Sequence, residues 1–508
     1  MDTIGLTLFH ETTTNLNGSG IRVAQPEGWD PFTSPGTNTW EVNPSNPFVG
    51  QPISLFTYTS SSGVANTFTN SVGLESGHAN SVAQYFYGIN HEEATNVAHV
   101  DCYDANYFIQ VSEVNLLFTT NYTASLPSTN IDDAVVNQSF SFGPQPTNIQ
   151  DAIDTAYDNY SAQYNTLFVS AVNNGGQVCA PGTSYNCIGI GAYGGGSSVG
   201  PTIDNGRCKP DLVAPASETS YSTPMVAGAA TIMIQAAMRG DGGGHTNNAA
   251  DMRTIKALLL NGAVKPVDWT NSSSSPLDAR YGAGILNLFN SYQQLIGGQH
   301  GFSVSNSVTQ GSPHPPPAIT GTIHAPSGWD FNSVSSSHTP ANDGVTHYFF
   351  EISSNVDVTA TLVWERQNGQ SSINKLALFL YDCANSNLVD CSTSVVDNVQ
   401  HIFVPQLPQG TYDLQVWKAG GTFVSASESY ALAWEFSATP MTITPSGSSI
   451  NLSWPAYPAG FVLEATTNLN PPIIWSTNNL PFPVYSNGQE IVSFGSTNAA
   501  QFFQLAPP

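Results

Sequence analysis

Residues 209–228 read Lys-Pro-Asp-Leu-Val-Ala-Pro-Ala-Ser-Glu-Thr-Ser-Tyr-Ser-Thr-Pro-Met-Val-Ala-Gly. A Pro- and Ser-rich turn here runs into a long stretch of small residues, and the pattern predicts a helix over 220–238 that stops at Gly240-Asp241-Gly242. Ser220 stands at the helix entry. There its hydroxyl is exposed, and the first turn offers unpaired N–H groups and a positive dipole to an anion. That placement suits a nucleophile whose attack creates an oxyanion. The plain alternative is a helix N-cap, which serine also favours.

Working outward, residues 20–25, 134–139, 166–172 and 187–193 read as buried strands, with helical stretches at 81–89 and 148–159 between them. Helices at 249–260 and 285–296 follow, each ended by an Asn-Gly or Gly-Gly signal. This alternation predicts an α/β domain over residues 1–298, a parallel sheet with helices on both faces. The Pro-rich segment Gly311–Pro317 marks a linker, expected over 299–320. Strand patterns then recur at short intervals through 321–437 and again through 438–508, which predicts two all-β sandwich domains. Trp454 and Trp475 fit the core of the last one better than exposed contacts.

Composition narrows the function. The chain has 508 residues, 36 acids and 11 bases, a net charge of −25. Arg22 is the only base before Arg207, and none follows Lys418. Such a surface repels phosphate, so neither nucleic acid nor an anionic membrane is an expected partner. No run of 18 apolar residues occurs, so no membrane span is expected. Sparse charge with abundant Ser, Thr and Asn is the style of an exported protein. The N-terminal stretch MDTIGLTLFHETTT has no basic and apolar leader pattern, so a signal peptide and any pro-segment are expected to lie outside the chain. The six cysteines include no CxxC pair. Disulfides are expected for Cys383–Cys391 and for Cys179–Cys187, with buried free thiols as the alternative.

The motif KPDLVAP followed by TSYSTPMVAG resembles the nucleophile region of subtilisin-like serine proteases, and the resemblance extends over about residues 15–295. It implies a subtilisin-like fold and places Ser220 on the nucleophile. Gly77-His-Ala-Asn-Ser-Val-Ala83 resembles the family's histidine motif and puts His78 on the general base. Leu167–Gly176 resembles the strand that ends in the oxyanion asparagine, which falls on Asn174. Asn173 stands where the family has glycine, and Asn is the residue best able to take that left-handed backbone. Val135–Ser141 resembles the substrate-lining strand, which makes Ser139, Phe140 and Ser141 substrate-binding candidates.

The third triad position departs from the family's aspartate. Asn17–Gly28 aligns so that Glu27 occupies it, with Asp30 as the competitor; Ser-His-Glu is known on other folds. Glu218 replaces the family's glycine two residues before the nucleophile, where its carboxylate either lines the cleft or points to solvent. The resemblance thus implies a secreted serine endopeptidase that cleaves proteins or peptides through an acyl-enzyme, works as a monomer and needs no cofactor for catalysis. It allows structural calcium without indicating ligands, and no metal site is assigned. It also implies a jelly-roll-like first sandwich and a fibronectin type III-like second one. The rival reading is a catalytically silent scaffold of the same fold, used for binding or adhesion.

Overall fold

A computed structural model describes residues 2–506 except 30–37, 61–62, 66, 90–92, 117–118, 438–440, 448, 457–459, 471–472, 479, 487–488 and 496–500. Asp30, the competitor for the triad acid, lies outside the described residues.

Eight strands build the first sheet: β1 (Arg22–Glu27), β2 (Phe56–Ser60), β3 (Gly63–Ala65), β4 (His99–Asp104), β5 (Val135–Gln138), β6 (Leu167–Ala171), β7 (Ile188–Tyr193) and β8 (Leu212–Pro215). Their spatial order is β8-β7-β6-β5-β1-β4-β2-β3, and every neighbouring pair is parallel except the terminal β2–β3 hairpin. The main helices are α1 (Leu6–Thr12), α2 (Gly77–Phe86), α3 (Thr147–Tyr164), α4 (Thr219–Arg239), α5 (Met252–Asn261) and α6 (Leu288–Ile296). Successive side chains on a strand point to opposite faces. Val23, Val135, Leu167 and Val169 therefore pack into the core of α2, α4 and α5. Ala24, Val136 and Phe168 pack against Ile153, Tyr157 and Tyr160 of α3. Helices thus cover both faces, and the strands read as continuous apolar runs.

Strands β2, β4 and β8 were not among the expected strands. In β4 the polar His99 and Asp101 hide the pattern, and their partners lie on neighbouring strands. His99 Nε2 meets the Thr57 hydroxyl at 2.8 Å, and Arg22 donates to Asp101. From the neighbouring strands β1 and β5 the chain leaves in opposite directions, to β2 on one side and to β6 on the other. Loops leaving these strands therefore diverge and open a crevice at their carboxyl ends.

Nine further strands form an antiparallel sandwich: β9 (Val304–Thr309), β10 (Ser327–Ser335), β11 (Asn342–Ile352), β12 (Val356–Trp364), β13 (Leu376–Asp382), β14 (Asn387–Ser392), β15 (Val399–Leu407), β16 (Gly410–Lys418) and β17 (Ser427–Ser437). The sheets run β9-β11-β16-β13-β14 and β10-β17-β12-β15, with Tyr348, Phe350, Leu378, Leu414, Leu432 and Trp434 between them. Strand β9 corrects the linker expectation: residues 304–309 pair with β11 along their whole length. The prolines beyond it obscured an alternating strand. The described residues between 442 and 506 form a smaller unit with a four-stranded and a two-stranded antiparallel sheet around Leu452, Trp454, Leu463 and Val492.

The larger sandwich is fused to the α/β domain. The outer face of its second sheet, through Val363, Val399, Ala431 and Ala433, joins the core that contains α5. Polar contacts ring this apolar seam. Asn186 Oδ1 accepts from Arg366 N–H at 2.9 Å, and its amide donates to Arg366 O at 3.0 Å. The Arg366 guanidinium lies 2.7 Å from Asp158 Oδ2, with both side chains at most 2% exposed. Arg207 and Arg366 both stack on the Tyr185 ring, at 4.2 and 5.0 Å. Asn398 donates to Tyr185 O at 2.9 Å, and Asp397 accepts from Cys208 N–H at 2.7 Å.

The expected disulfides do not form: all six cysteines are free. Across the β13–β14 hairpin, Cys391 pairs with Phe379 and Asp382 with Asn387. Cys383 therefore sits at the turn end, about four residues or ~13 Å along the strand from Cys391, beyond the reach of a disulfide. The Cys179 thiol turns to Gln177 O at 3.3 Å, whereas Cys187 is buried in the cluster beneath α3. Among the described residues no helix is long and apolar enough to cross a membrane, and no group of His, Cys, Asp or Glu is arranged to hold a metal.

Two measurements probe this seam. Arg366→Met leaves Asp158 buried without its cation, so stability should fall by about 3–5 kcal/mol in urea unfolding; an unchanged midpoint contradicts the packing. Lys265 lies on the same seam, its ammonium donating to Ala263 O at 3.2 Å between the Trp269 and Phe403 rings and beside His401. Burial pushes its pKa down from 10.5 to about 7. Between those values the unfolded chain binds a proton that the folded one rejects, so this group makes stability rise with pH across that window. Lys265→Met should therefore raise the melting temperature most at pH 7 and below, with the gain shrinking toward pH 10. A gain constant with pH contradicts the assignment.

Candidate active site

Four loops and helix ends meet at the carboxyl edge of the sheet. Strand β1 ends on Glu27, which is 1% exposed. Its pairing with β5 stops at Ala24, so Pro26, which has no N–H to give, falls where that ladder has already parted. Helix α2 starts at Gly77, capped by Ser76, whose hydroxyl accepts from Ala79 N–H. This places His78 in the first turn. Its Nδ1 lies 2.9 Å from Glu27 Oε2. A carboxylate has no hydrogen to give, so Nδ1–H donates and the basic lone pair sits on Nε2. The other carboxylate oxygen, Oε1, accepts from Gln25 Nε2 at 2.8 Å.

Ser220 is the second residue of α4 and is 8% exposed. Pro224 lies four residues on, inside the helix, and cannot donate to the Ser220 carbonyl. The Ser139 hydroxyl takes that place at 2.9 Å, and the Ser220 hydroxyl returns a bond to the Ser139 carbonyl at 3.2 Å. The proline that breaks the ladder thus ties the helix start to the segment after β5. Tyr221, the next residue, packs its ring 6.3 Å from the His78 ring and 5.8 Å from that of Tyr85.

Asn173 and Asn174 follow β6. Asn173 has φ +99°, the left-handed backbone expected at this position, and Ser141 donates to its side chain at 3.3 Å. Asn174 Oδ1 accepts from both the N–H and the hydroxyl of Thr219, at 2.8 and 2.7 Å. Two donors on Oδ1 fix the amide, so Nδ2 faces away from Thr219 with both hydrogens available. Phe140 is half-buried and edges against Phe142. Glu218 is exposed at the N-cap of α4 and its side chain makes no cap bond.

The structure therefore joins Glu27 to His78, Ser139 to Ser220, and Asn174 to the residue before Ser220. Sequence reasoning missed Gln25, Thr219 and Tyr221. Gln25 carried a signal, because it lies two residues before Glu27 on a strand and so shares its face.

A model of the subtilase family matches residues 57–284. This domain is a subtilase. The chain is thus a serine-type peptidase with an α/β domain of subtilisin-like fold followed by β-sandwich domains. The matched stretch contains His78, Asn174 and Ser220 and begins after Glu27. Among solved structures, a serine protease of Aeromonas sobria is similar over 98% of this chain and 90% of its own, at 13% identity and a TM-score of 0.35. The complex of the Aeromonas sobria protease with its chaperone ORF2 is similar over 83% and 89%, at 13% identity and a TM-score of 0.30. Tripeptidyl peptidase 2 covers 66% of this chain and 38% of its own, at 11% identity and a TM-score of 0.23. No curated protein sequence matches the chain.

Ser139→Ala should leave the Ser220 carbonyl without a donor. A loss of about 1–3 kcal/mol in stability is expected, with slower labelling by a fluorophosphonate. Parental values for both would show that the Ser139 bond does not hold the helix start.

Proposed function

We propose that this subtilase is a secreted endopeptidase that cleaves proteins through an acyl-enzyme, with a Glu27–His78–Ser220 triad. The observation that supports it most is the 2.9 Å contact between the His78 ring and a buried glutamate, at the sheet edge where Ser220 opens α4. Export is supported by the sparse, acidic composition.

An extended substrate lies along Ser139–Ser141. Its scissile carbonyl sits over Ser220, between the Ser220 N–H and Asn174 Nδ2. Ser220 Oγ attacks the carbonyl carbon and its proton passes to His78 Nε2. Glu27 stabilises the imidazolium through Nδ1–H and holds the ring in the productive tautomer. The two N–H donors take up the charge that develops on the oxyanion, and Thr219 keeps the Asn174 amide aimed at it. His78 then returns the proton to the leaving amine as the C–N bond breaks. Water repeats the sequence on the ester and frees Ser220. No cofactor enters these steps. Phe140 and Ser141 contact the substrate beside the scissile bond, and exposed Glu218 flanks the cleft without joining the chemistry.

The parent enzyme should hydrolyse a casein or peptide substrate and take up one fluorophosphonate, mapped to Ser220 by mass spectrometry. Ser220→Ala should lose both while keeping its circular dichroism spectrum. An adduct elsewhere, or peptidase activity surviving in Ser220→Ala, would overturn the mechanism. A folded parent with neither activity would point to the silent scaffold.

A further inference from the structure

The amide of Gln25 is buried at 0% exposure between the sheet and α2. Burying an unpaired amide costs several kcal/mol, so an apolar residue would fill this place more cheaply unless the amide's bonds matter. Gln25 Nε2 uses both hydrogens: one goes to Glu27 Oε1 at 2.8 Å, the other to the Ala79 carbonyl at 3.0 Å. Its Oε1 accepts from the Tyr87 hydroxyl at 2.6 Å. The orientation is forced, because the flipped amide would set its oxygen against a carboxylate and a carbonyl, neither of which can donate.

Each partner belongs to the catalytic apparatus or braces it. Glu27 is the triad acid. Ala79 is the residue after His78, at the start of α2, and Tyr87 is the residue that caps the end of the same helix. The amide therefore crosses from the strand that carries the acid to both ends of the helix that carries the base.

A glutamate needs such a brace. It has one more rotatable bond than the aspartate usual in this family. A single bond from His78 leaves its second oxygen free to swing. With Oε2 on His78 and Oε1 on Gln25, both oxygens are fixed. Burial keeps the Tyr87 phenol protonated, its pKa pushed far above the ordinary range, so its donated bond persists at every working pH.

We propose that Gln25, held by Tyr87, is the positioning residue that lets a glutamate serve as the triad acid. It sets the Glu27 carboxylate and the His78 helix in one register. This rests on Glu27 acting as the acid.

The test is a double-mutant cycle on the full chain, reading kcat and KM for a peptide substrate and the melting temperature of each variant. Gln25→Leu keeps the volume and removes the three bonds. Misplacing a catalytic group costs on the order of tenfold to a hundredfold, so kcat should fall by that much with KM unchanged. In a Glu27→Gln background, Gln25→Leu should change kcat by no more than about twofold, because its target is already gone. Tyr87→Phe, which removes one hydroxyl and keeps the ring, covers the case in which Gln25→Leu does not fold. It should lower kcat in the parent and leave it unchanged in Glu27→Gln. Parental kcat in Gln25→Leu, or in Tyr87→Phe where Gln25→Leu does not fold, overturns the proposal. So does a full loss that persists in the Glu27→Gln background, since that marks a general packing role. If Glu27→Gln itself keeps the parental kcat, the triad assignment fails first and the proposal falls with it.

Discussion

A carboxylate withdrawn from water has to find a donor for each oxygen, and that constraint shapes the whole site. Glu27 meets it with an imidazole N–H on one oxygen and an amide N–H on the other. Both donors come from side chains held by α2 and β1, so the position of His78 follows from how the strand and helix pack. Ser220, the proposed nucleophile, is held in a parallel way. Pro224 removes a helical donor, and the Ser139 hydroxyl fills the gap and anchors Ser220 to the segment after β5.

The same reasoning extends to the chain's few bases. Of the 11, six are buried: Arg207, Lys209, Lys256, Lys265, Arg366 and Lys418. Lys209 and Lys256 flank the buried Asp211, and Arg207 and Arg366 close the seam between the α/β domain and the sandwich. Positive charge is thus spent largely inside, where it holds layers together, and the surface is left acidic. The sandwich accordingly belongs to the core: its second sheet is apolar on both faces because α5 covers the outer one.

Much of this was legible in the sequence where one residue type has one strong physical preference. Continuous apolar runs marked β5, β6 and β7, and small residues after a turn marked α4. The motifs around His78, Asn174 and Ser220 carried the reaction class. The reading failed where polar residues do interior work. His99 and Asp101 disguised β4 because their partners are far along the chain, and prolines after β9 made a strand look like a tether. The cysteine spacing suggested bridges, yet hairpin register, which spacing alone does not give, keeps Cys383 and Cys391 apart. Gln25 and Tyr87 are 62 residues apart, and only the fold brings the hydroxyl to the amide.

The contact between Glu27 and His78 is the central claim, and proton NMR of the histidine ring N–H groups tests it directly. A ring N–H donated to a buried carboxylate resonates far downfield and exchanges slowly. Among the described residues, His78 with Glu27 and His347 with Asp413 make such hydrogen bonds, the second at 2.8 Å inside the sandwich. A downfield signal from each is therefore expected in the parent, and Glu27→Gln should remove that of His78 while leaving that of His347 in place. Persistence of both signals in Glu27→Gln would show that another group holds His78, and the triad described here would be wrong.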